Sequence, residues 1–260
     1  MSIDILRVHA FKDNYLWVGA DQNSKQAFVV DPGDASPVIA CLKDADLELA
    51  VILVTHHHPD HTGGIAELVA RYNCAVYGPD SPQIPQVTKA LRENDRFEIL
   101  GCHFVVYEVP GHTLDHIAYY SPHLSTAPAL FCGDTLFVGG CGRLFEGSAE
   151  QMLASLDKLA ALPADTLIYC AHEYTLSNLR FAAAVEPDNA TLVAKLHEVG
   201  RKREQNLATV PSTLETELAT NPFLRSRVAS VREAARQRLG YSPRNDAETF
   251  ATIRQWKDVF

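Results

Sequence analysis

The sequence predicts a mixed α/β body followed by a helical C-terminal region. Over about the first 170 residues, short apolar runs are separated by Gly, Pro and Asp, a pattern typical of strands joined by turns. After residue 173, longer amphipathic segments predict helices, with prolines between them at positions 187, 211 and 222. The third observation is a histidine-rich loop, Thr55–His61, which leaves an apolar strand and enters a helix.

Length, charge and composition limit the class of protein. A chain of 260 residues can bury the core of one large α/β domain, or of one domain with an appendage. A net charge of −9 argues against nucleic-acid binding, and no run approaches the roughly 18 apolar residues of a membrane helix. The first residues lack the segments of a leader, so we expect a cytoplasmic protein without membrane attachment. Six cysteines without a CxxC pair predict reduced, largely buried thiols.

The elements follow from these patterns in chain order. Candidate strands are Ile3–Ala10, Tyr15–Gly19, Gln26–Asp31, Ala50–Val54, Ala75–Tyr77, His103–Val109, Ile117–Ser121, Ala129–Cys132 and Thr166–Cys170. Candidate helices are Pro37–Lys43, Gly64–Arg71, Ala149–Ala161, Leu176–Val185, Asn189–Asn206, Thr213–Ala219, Arg225–Leu239 and Ala247–Lys257. Ser148 is the expected N-cap of the helix Ala149–Ala161.

The loop after the strand Ala50–Val54 has the residues of a metal site. Alternate residues of an extended chain point to the same side, so His56 and His58 can bind one ion. Asp60 and His61 follow where the chain turns and can reach a second ion. So many titratable groups beside a buried strand would cost desolvation energy without a cation to bind. The loop therefore predicts metal binding, with His57 pointing away from the ions.

Three further residues complete a candidate ligand set. His112, Asp134 and His172 each lie at or just past the end of an apolar strand, where α/β proteins often place catalytic groups. Asp134 is the candidate bridge, because a carboxylate can bind two cations and a neutral imidazole cannot. Taken singly, each of the three could instead be a capping aspartate or a hydrogen-bonded histidine. The remaining histidines are interpreted as structural or surface residues: His9, His103, His116, His123 and His197.

The order and spacing of these residues resemble the metallo-β-lactamase-fold hydrolases. The resemblance implies a four-layer αββα sandwich with two divalent ions, zinc first, with iron or manganese as alternatives. One ion would be held by His56, His58 and His112, and the other by Asp60, His61 and His172, with Asp134 bridging. Water made acidic by the two ions would be the nucleophile, with Asp60 and Asp134 as the catalytic residues. In agreement, the chain has neither a G-x-S-x-G elbow nor a phosphate-binding P-loop.

Further motifs resemble glyoxalase II, the hydroxyacylglutathione hydrolases. They are Asp13-Asn14-Tyr15, Gly140–Gly147, His172–Thr175, Asn178–Phe181, Asn221–Arg225 and the terminal Arg254-x-x-Lys257-Asp258-x-Phe260. The resemblance implies an αββα domain at residues 1–173 and a helical glutathione-binding domain at residues 174–260. It assigns the substrate contacts to Arg143, Phe145, Tyr174, Arg254 and Lys257.

The charge of the C-terminal residues and two departures from the family's sequence pattern bear on this resemblance. Residues 197–260 carry 11 Lys and Arg against 8 Asp and Glu, which fits either an anionic substrate or solvated helix faces. Phe145 stands where many relatives have Tyr, so a hydroxyl contact is lost and Phe145 packs instead. Asp115 stands where Gly is common, and we expect a local adjustment of the backbone there.

The implied reaction is hydrolysis of S-(2-hydroxyacyl)glutathione, typically S-D-lactoylglutathione, by a monomer. Other members of the fold are weighed against it. A zinc β-lactamase would need export, and the first residues lack the segments of a leader. A tRNA-processing nuclease would need a basic surface, whereas the net charge is −9. The alternatives that stay open are a persulfide dioxygenase of the same fold, which uses one iron, and a metal-binding relative without catalysis.

Overall fold

The computed structural model describes residues 3–260, and the chain divides into two compact units. The first unit comprises the residues up to 108 together with 115–133, and the second comprises 109–114 with 134–260. The prediction that the first residues lack a leader includes Met1 and Ser2, which lie outside the described residues. The division after residue 173 that the sequence predicts stays a prediction.

The first sheet of unit 1 contains the strand that leads into the histidine-rich loop Thr55–His61. Its strands, in spatial order, are β1 (Asp4–Ala10), β2 (Asn14–Asp21), β3 (Gln26–Val30), β4 (Glu48–Leu53), β5 (Ala75–Pro79) and β6 (Lys89–Leu91). Strands β1 to β3 are antiparallel, and β3 to β6 are parallel. The helices beside them are α1 (Ala35–Asp44), α2 (Pro59–Thr62) and α3 (Ile65–Tyr72). Apolar residues of α1 and α3 join the core of this sheet.

A second sheet of unit 1 packs on the first through aromatic rings. Its strands are β7 (Arg96–Ile99), β8 (Cys102–Glu108), β9 (Ile117–Ser121) and β10 (Ala129–Gly133), antiparallel in the order β10-β9-β8-β7. The ring of Phe28 from β3 lies 5.7 Å from that of Phe104 and 6.0 Å from that of Phe131. These side chains are fully buried, so the two sheets share one apolar core.

Unit 2 is mainly helical. It contains β11 (Leu136–Phe137), β12 (Gly140–Cys141), α4 (Ala149–Ala160), β13 (Leu167–Cys170), α5 (Thr175–Val185), α6 (Ala190–Glu204), β14 (Ser212–Thr213), α7 (Leu214–Thr220), α8 (Ala229–Leu239) and α9 (Asp246–Asp258). β11 and β12 form a tight hairpin, and β13 pairs antiparallel with β14.

Among residues 3–260, no helix is long and apolar enough to cross a membrane. All six cysteines are free thiols, as predicted.

The predicted start of the helix Arg225–Leu239 is wrong, because the helix begins at Ala229. The preceding residues form turns that use side-chain hydrogen bonds. Asn221 Oδ1 accepts a bond from the Phe223 amide at 3.1 Å, and Arg225 donates to both oxygens of Glu186. Arg225 is thus bonded to a residue 39 positions earlier, and the Val228 amide closes a turn on the Arg225 carbonyl at 2.8 Å, where the pattern alone predicts a helix.

Candidate metal centre

In unit 1, the chain after β4 brings two pairs of candidate ligands together. The backbone of His58 is extended, and Pro59 then starts α2 because its fixed φ suits the first helical position. His56 Nε2 lies 3.1 Å from His58 Nδ1. Asp60, in the first turn of α2, places Oδ2 3.4 Å from His61 Nε2.

In unit 2, one carboxylate contacts two histidines. Asp134 Oδ2 lies 3.4 Å from His112 Nε2, and Asp134 Oδ1 lies 3.3 Å from His172 Nε2. All three residues are buried. His112 Nδ1 lies 2.9 Å from the carbonyl oxygen of Arg143, so this nitrogen carries the proton and Nε2 keeps its lone pair for a metal. Each oxygen of Asp134 therefore faces a different imidazole.

These distances fit bound metal ions. Nitrogen and oxygen ligands at about 2.0–2.1 Å from a tetrahedral zinc lie about 3.3 Å from one another. The four ligand pairs are separated by 3.1, 3.4, 3.4 and 3.3 Å. All seven predicted ligands belong to groups of histidine and acidic residues that could hold a metal ion. The histidine and aspartate clusters are therefore compatible with a dinuclear metal site.

Buried polar neighbours orient the ligands in unit 1. Asp31 is 3% exposed and accepts bonds from the Thr55 amide at 2.7 Å and the Thr55 hydroxyl at 2.8 Å. The same carboxylate lies 3.1 Å from His61 Nδ1, which leaves Nε2 for a metal. Asn14 donates to Asp60 Oδ2 at 2.9 Å. The sequence alone assigned no role to Asp31 or Asn14, although Asp31 ends an apolar run and Asn14 lies in the motif at positions 13–15.

Two histidines near the loop have supporting contacts. His57 Nδ1 lies 3.0 Å from both oxygens of Asp115, a carboxylate outside the predicted ligand set. The φ of Asp115 is not in the positive range, so the carboxylate is accommodated without a left-handed backbone. His116 is buried and stacks on His56, with ring centres 4.5 Å apart. That contact was missed, because a single histidine after a turn carries no pattern.

A cavity of about 420 Å³ in unit 2 adjoins two of the ligands. All five predicted substrate residues line it, beside His112 and Asp134: Arg143, Phe145, Tyr174, Arg254 and Lys257. A larger cleft of about 920 Å³ is lined by residues such as Glu186, Arg225 and Trp256, and by none of the predicted site residues. The predicted substrate residues therefore lie together at the smaller cavity and not at the larger cleft.

The cations of the cavity differ in their availability. Arg254 is 5% exposed and donates to the carbonyl of Cys141 at 2.8 Å and to Asp258 at 3.1 Å, so much of its guanidinium is used within the protein. Arg143 is largely exposed and lies 3.4 Å from Asp258. Burial, and then the charges of Arg254 and Arg143, lower the pKa of Lys257. Arg143 and Lys257 are therefore the cations best placed for an anionic ligand.

Aromatic rings cover the ligands on the cavity side. Tyr174 stacks on His172 with ring centres 4.7 Å apart and an angle of 4°, and Phe137 packs against both rings. Phe145 packs edge-on against His112 at 5.2 Å and is 62% exposed. These rings present an apolar surface beside His112 and His172, without a hydroxyl at Phe145.

Comparison with known sequences and structures gives the class first. Residues 14–172 match the metallo-beta-lactamase superfamily, so the chain belongs to that superfamily. The crystal structure of ETHE1 from Myxococcus xanthus has the same fold, with a TM-score of 0.68 at 24% identity over 98% of this chain and 90% of that one. The TTHA1623 structure in a di-iron-bound form gives 0.60 at 24% identity, over 84% and 98% respectively.

The remaining sequence narrows the family. Residues 173–260 match the region described as hydroxyacylglutathione hydrolase C-terminus. The hydroxyacylglutathione hydrolase of Pseudomonas aeruginosa strain LESB58 is 54% identical over 99% of this chain and 100% of its own length. That of Nitrosomonas eutropha is 50% identical over 99% of both. The chain belongs to the hydroxyacylglutathione hydrolase family, also called glyoxalase II.

Proposed function

We propose that this chain hydrolyses the thioester of S-(2-hydroxyacyl)glutathione, typically S-D-lactoylglutathione, to glutathione and D-lactate. This reaction is the second step of methylglyoxal detoxification. The observation that carries the proposal is the cavity lined by Arg143, Tyr174 and Lys257 directly beside His112 and Asp134. Family membership over the whole chain supports the same reaction.

The predicted ligands are proposed to bind two divalent ions. His56, His58 and His112 would hold one ion, Asp60, His61 and His172 the other, and Asp134 would bridge them. Imidazole and carboxylate ligands suit zinc, iron and manganese, and we propose zinc. When bound, such ions supply a water of lowered pKa and polarise the thioester carbonyl.

The residues of the chain position the reacting groups. Asp60 would accept a hydrogen bond from the attacking water while Asn14 holds its carboxylate. Asp31 and the Arg143 carbonyl fix which nitrogen of His61 and His112 is protonated. Burial raises the pKa of the cavity thiol Cys141 to about 11, so it is a poor nucleophile. The leaving thiol has a pKa of about 8.5 and leaves as a thiolate without a strong general acid.

Binding of the glutathione part would rest on charge. Glutathione has two carboxylates, and charge-assisted bonds to Arg143 and Lys257 are stronger than neutral ones. Tyr174, which stacks on His172, would also contact the glutathione part. Phe145 would pack against the substrate without a polar contact. A monomeric state, a cytoplasmic location and the lack of nucleic-acid or membrane partners stay predictions.

The test is a direct assay of the purified, metal-analysed protein. Loss of S-D-lactoylglutathione and release of one free thiol per ester should be observed together. The persulfide dioxygenase alternative predicts instead one iron per chain and oxygen uptake on glutathione persulfide. A preparation with two metals per chain that leaves the thioester intact would refute the proposed function.

A further inference from the structure

The hairpin formed by β11 and β12 lies in sequence between Asp134 and Arg143 and forms part of the cavity. Phe137 and Cys141 line the cavity from its two strands, and Phe137 packs against His172. The hairpin is only two residue pairs long, so its own ladder fixes its position weakly. Its turn contains Gly139 at φ 69°, a conformation that glycine adopts readily.

A buried carboxylate accepts the amide hydrogen bond of this turn, beside Asn178 Nδ2, which donates to the Val138 carbonyl at 3.2 Å. Glu217 of α7 is fully buried, and its Oε2 accepts a hydrogen bond from the Gly139 amide at 2.6 Å. Asn221 Nδ2 donates to Glu217 Oε2 at 3.3 Å and also to the carbonyls of Phe137 and Gly140, at 3.1 and 2.9 Å. Glu217 and Asn221 thus satisfy backbone groups on both sides of the turn.

The other carboxylate oxygen of Glu217, Oε1, accepts hydrogen bonds from residues of α6 and β14. Lys195 Nζ and Ser212 Oγ each donate to Glu217 Oε1 at 2.7 Å. Burying such an ion pair costs desolvation energy, and apolar residues of similar volume are often as stable. The charged pair is therefore explained better by the geometry it imposes on the hairpin than by stability alone.

Close packing limits where the turn can move. A Cβ at Gly139 would lie 2.8 Å from Leu179 Cδ2, and one at Gly140 would lie 2.6 Å from Asn178 Nδ2. The backbone of the turn is therefore already in contact with α5. A hairpin released from Glu217 would have to shift away from α5, and its cavity-lining strands would shift with it.

We infer that Glu217 is a positioning residue for the substrate, acting through the hairpin 136–141. It fixes the wall of the cavity that carries Phe137 and Cys141, and so the binding of the glutathione part. The inference rests on the proposed function for its substrate, but the contact between Glu217 and Gly139 can be tested without turnover.

The experiment compares two double variants that both remove the buried charges. In Lys195→Met with Glu217→Gln, the amide oxygen can still accept the Gly139 hydrogen bond. In Lys195→Met with Glu217→Leu, that amide has no acceptor in a buried turn. The control is Glu198→Gln with Lys202→Met, which removes an exposed ion pair of the same helix α6. Steady-state kinetics with S-D-lactoylglutathione and hydrogen exchange of the Gly139 amide are measured for each.

The Leu variant should raise KM at least about fivefold with little change in kcat, the scale of an unsatisfied buried amide. Its Gly139 amide should lose protection, whereas the Gln variant and the control should retain wild-type KM and protection. An unchanged KM in the folded Leu variant would overturn the inference. Rapid exchange of Gly139 in the wild-type protein would overturn it without any variant. If the wild type has no turnover, the proposed function fails, and the Gly139 exchange alone decides the inference.

Discussion

At the scale of single residues, the proposed two-ion centre depends most on Asp134. Its two oxygens lie 3.4 and 3.3 Å from His112 and His172, so removing the carboxylate removes a ligand on both sides. We expect Asp134→Ala to retain at most one ion per chain and to lose nearly all turnover. Metal analysis after gel filtration and a thioester assay check this. The exposed Asp165→Ala is the control, and two retained ions in Asp134→Ala would rule out the bridging role.

Lys257 gives a prediction about pH. Burial and the charges of Arg254 and Arg143 lower its pKa, so it loses its proton at a lower pH than an ordinary lysine. Only the protonated form attracts a carboxylate, so KM should rise as pH increases through this lowered pKa. We expect Lys257→Met to raise KM about fivefold at neutral pH and to abolish the alkaline rise. A pH series of KM checks both effects, with Lys202→Met on α6 as the control. An alkaline rise that persists in Lys257→Met would assign it to another group.

The candidate ligands could be predicted because a dense cluster of histidines and aspartates after an apolar strand costs desolvation energy unless it binds cations. The residues that orient them could not be predicted. Asp31 and His116 act through contacts with His61 and His56, and each is a single polar residue at a strand end or turn. Such residues carry no periodic signal, so only the fold reveals their role.

At the scale of elements, helix caps were the clearest local signal. The Ser148 hydroxyl oxygen accepts a hydrogen bond from the Gln151 amide, and Gln151 Oε1 accepts one from the Ser148 amide, which forms the capping box of α4. We expect Ser148→Ala to lower the free energy of unfolding by about 1 kcal/mol. Urea unfolding measures it. The control is Ser36→Ala, an exposed position in the first turn of α1 where Asp34 is the cap. Equal effects of the two variants would contradict the capping role.

Long elements could be predicted from the sequence, and very short ones could not. Ile117–Ser121 and Leu176–Val185 agree with β9 and α5 to within one residue, since apolar residues recur throughout them. β6, β11, β12 and β14 contain two or three residues each, too few to show a period of two. Their positions depend on partners distant in sequence, as the contact between Glu217 and Gly139 illustrates.

At the scale of the whole molecule, two successive parts of the sequence match two different family models. The predicted metal ligands fall within or at the end of residues 14–172, and the cations Arg254 and Lys257 fall in the match to residues 173–260. The net charge of −9 gives no hint of an anionic substrate. The cations proposed to bind the substrate are local and line one cavity of unit 2. Family resemblance located them, because no rule of composition or periodicity does.

The most direct measurement of the central claim is turnover of S-D-lactoylglutathione as metal is returned to the apoprotein. Chelation should abolish hydrolysis, and stepwise addition of zinc should restore it to a plateau at two ions per chain. A plateau at one ion, or no turnover with two ions bound, would contradict a dinuclear glutathione thioester hydrolase.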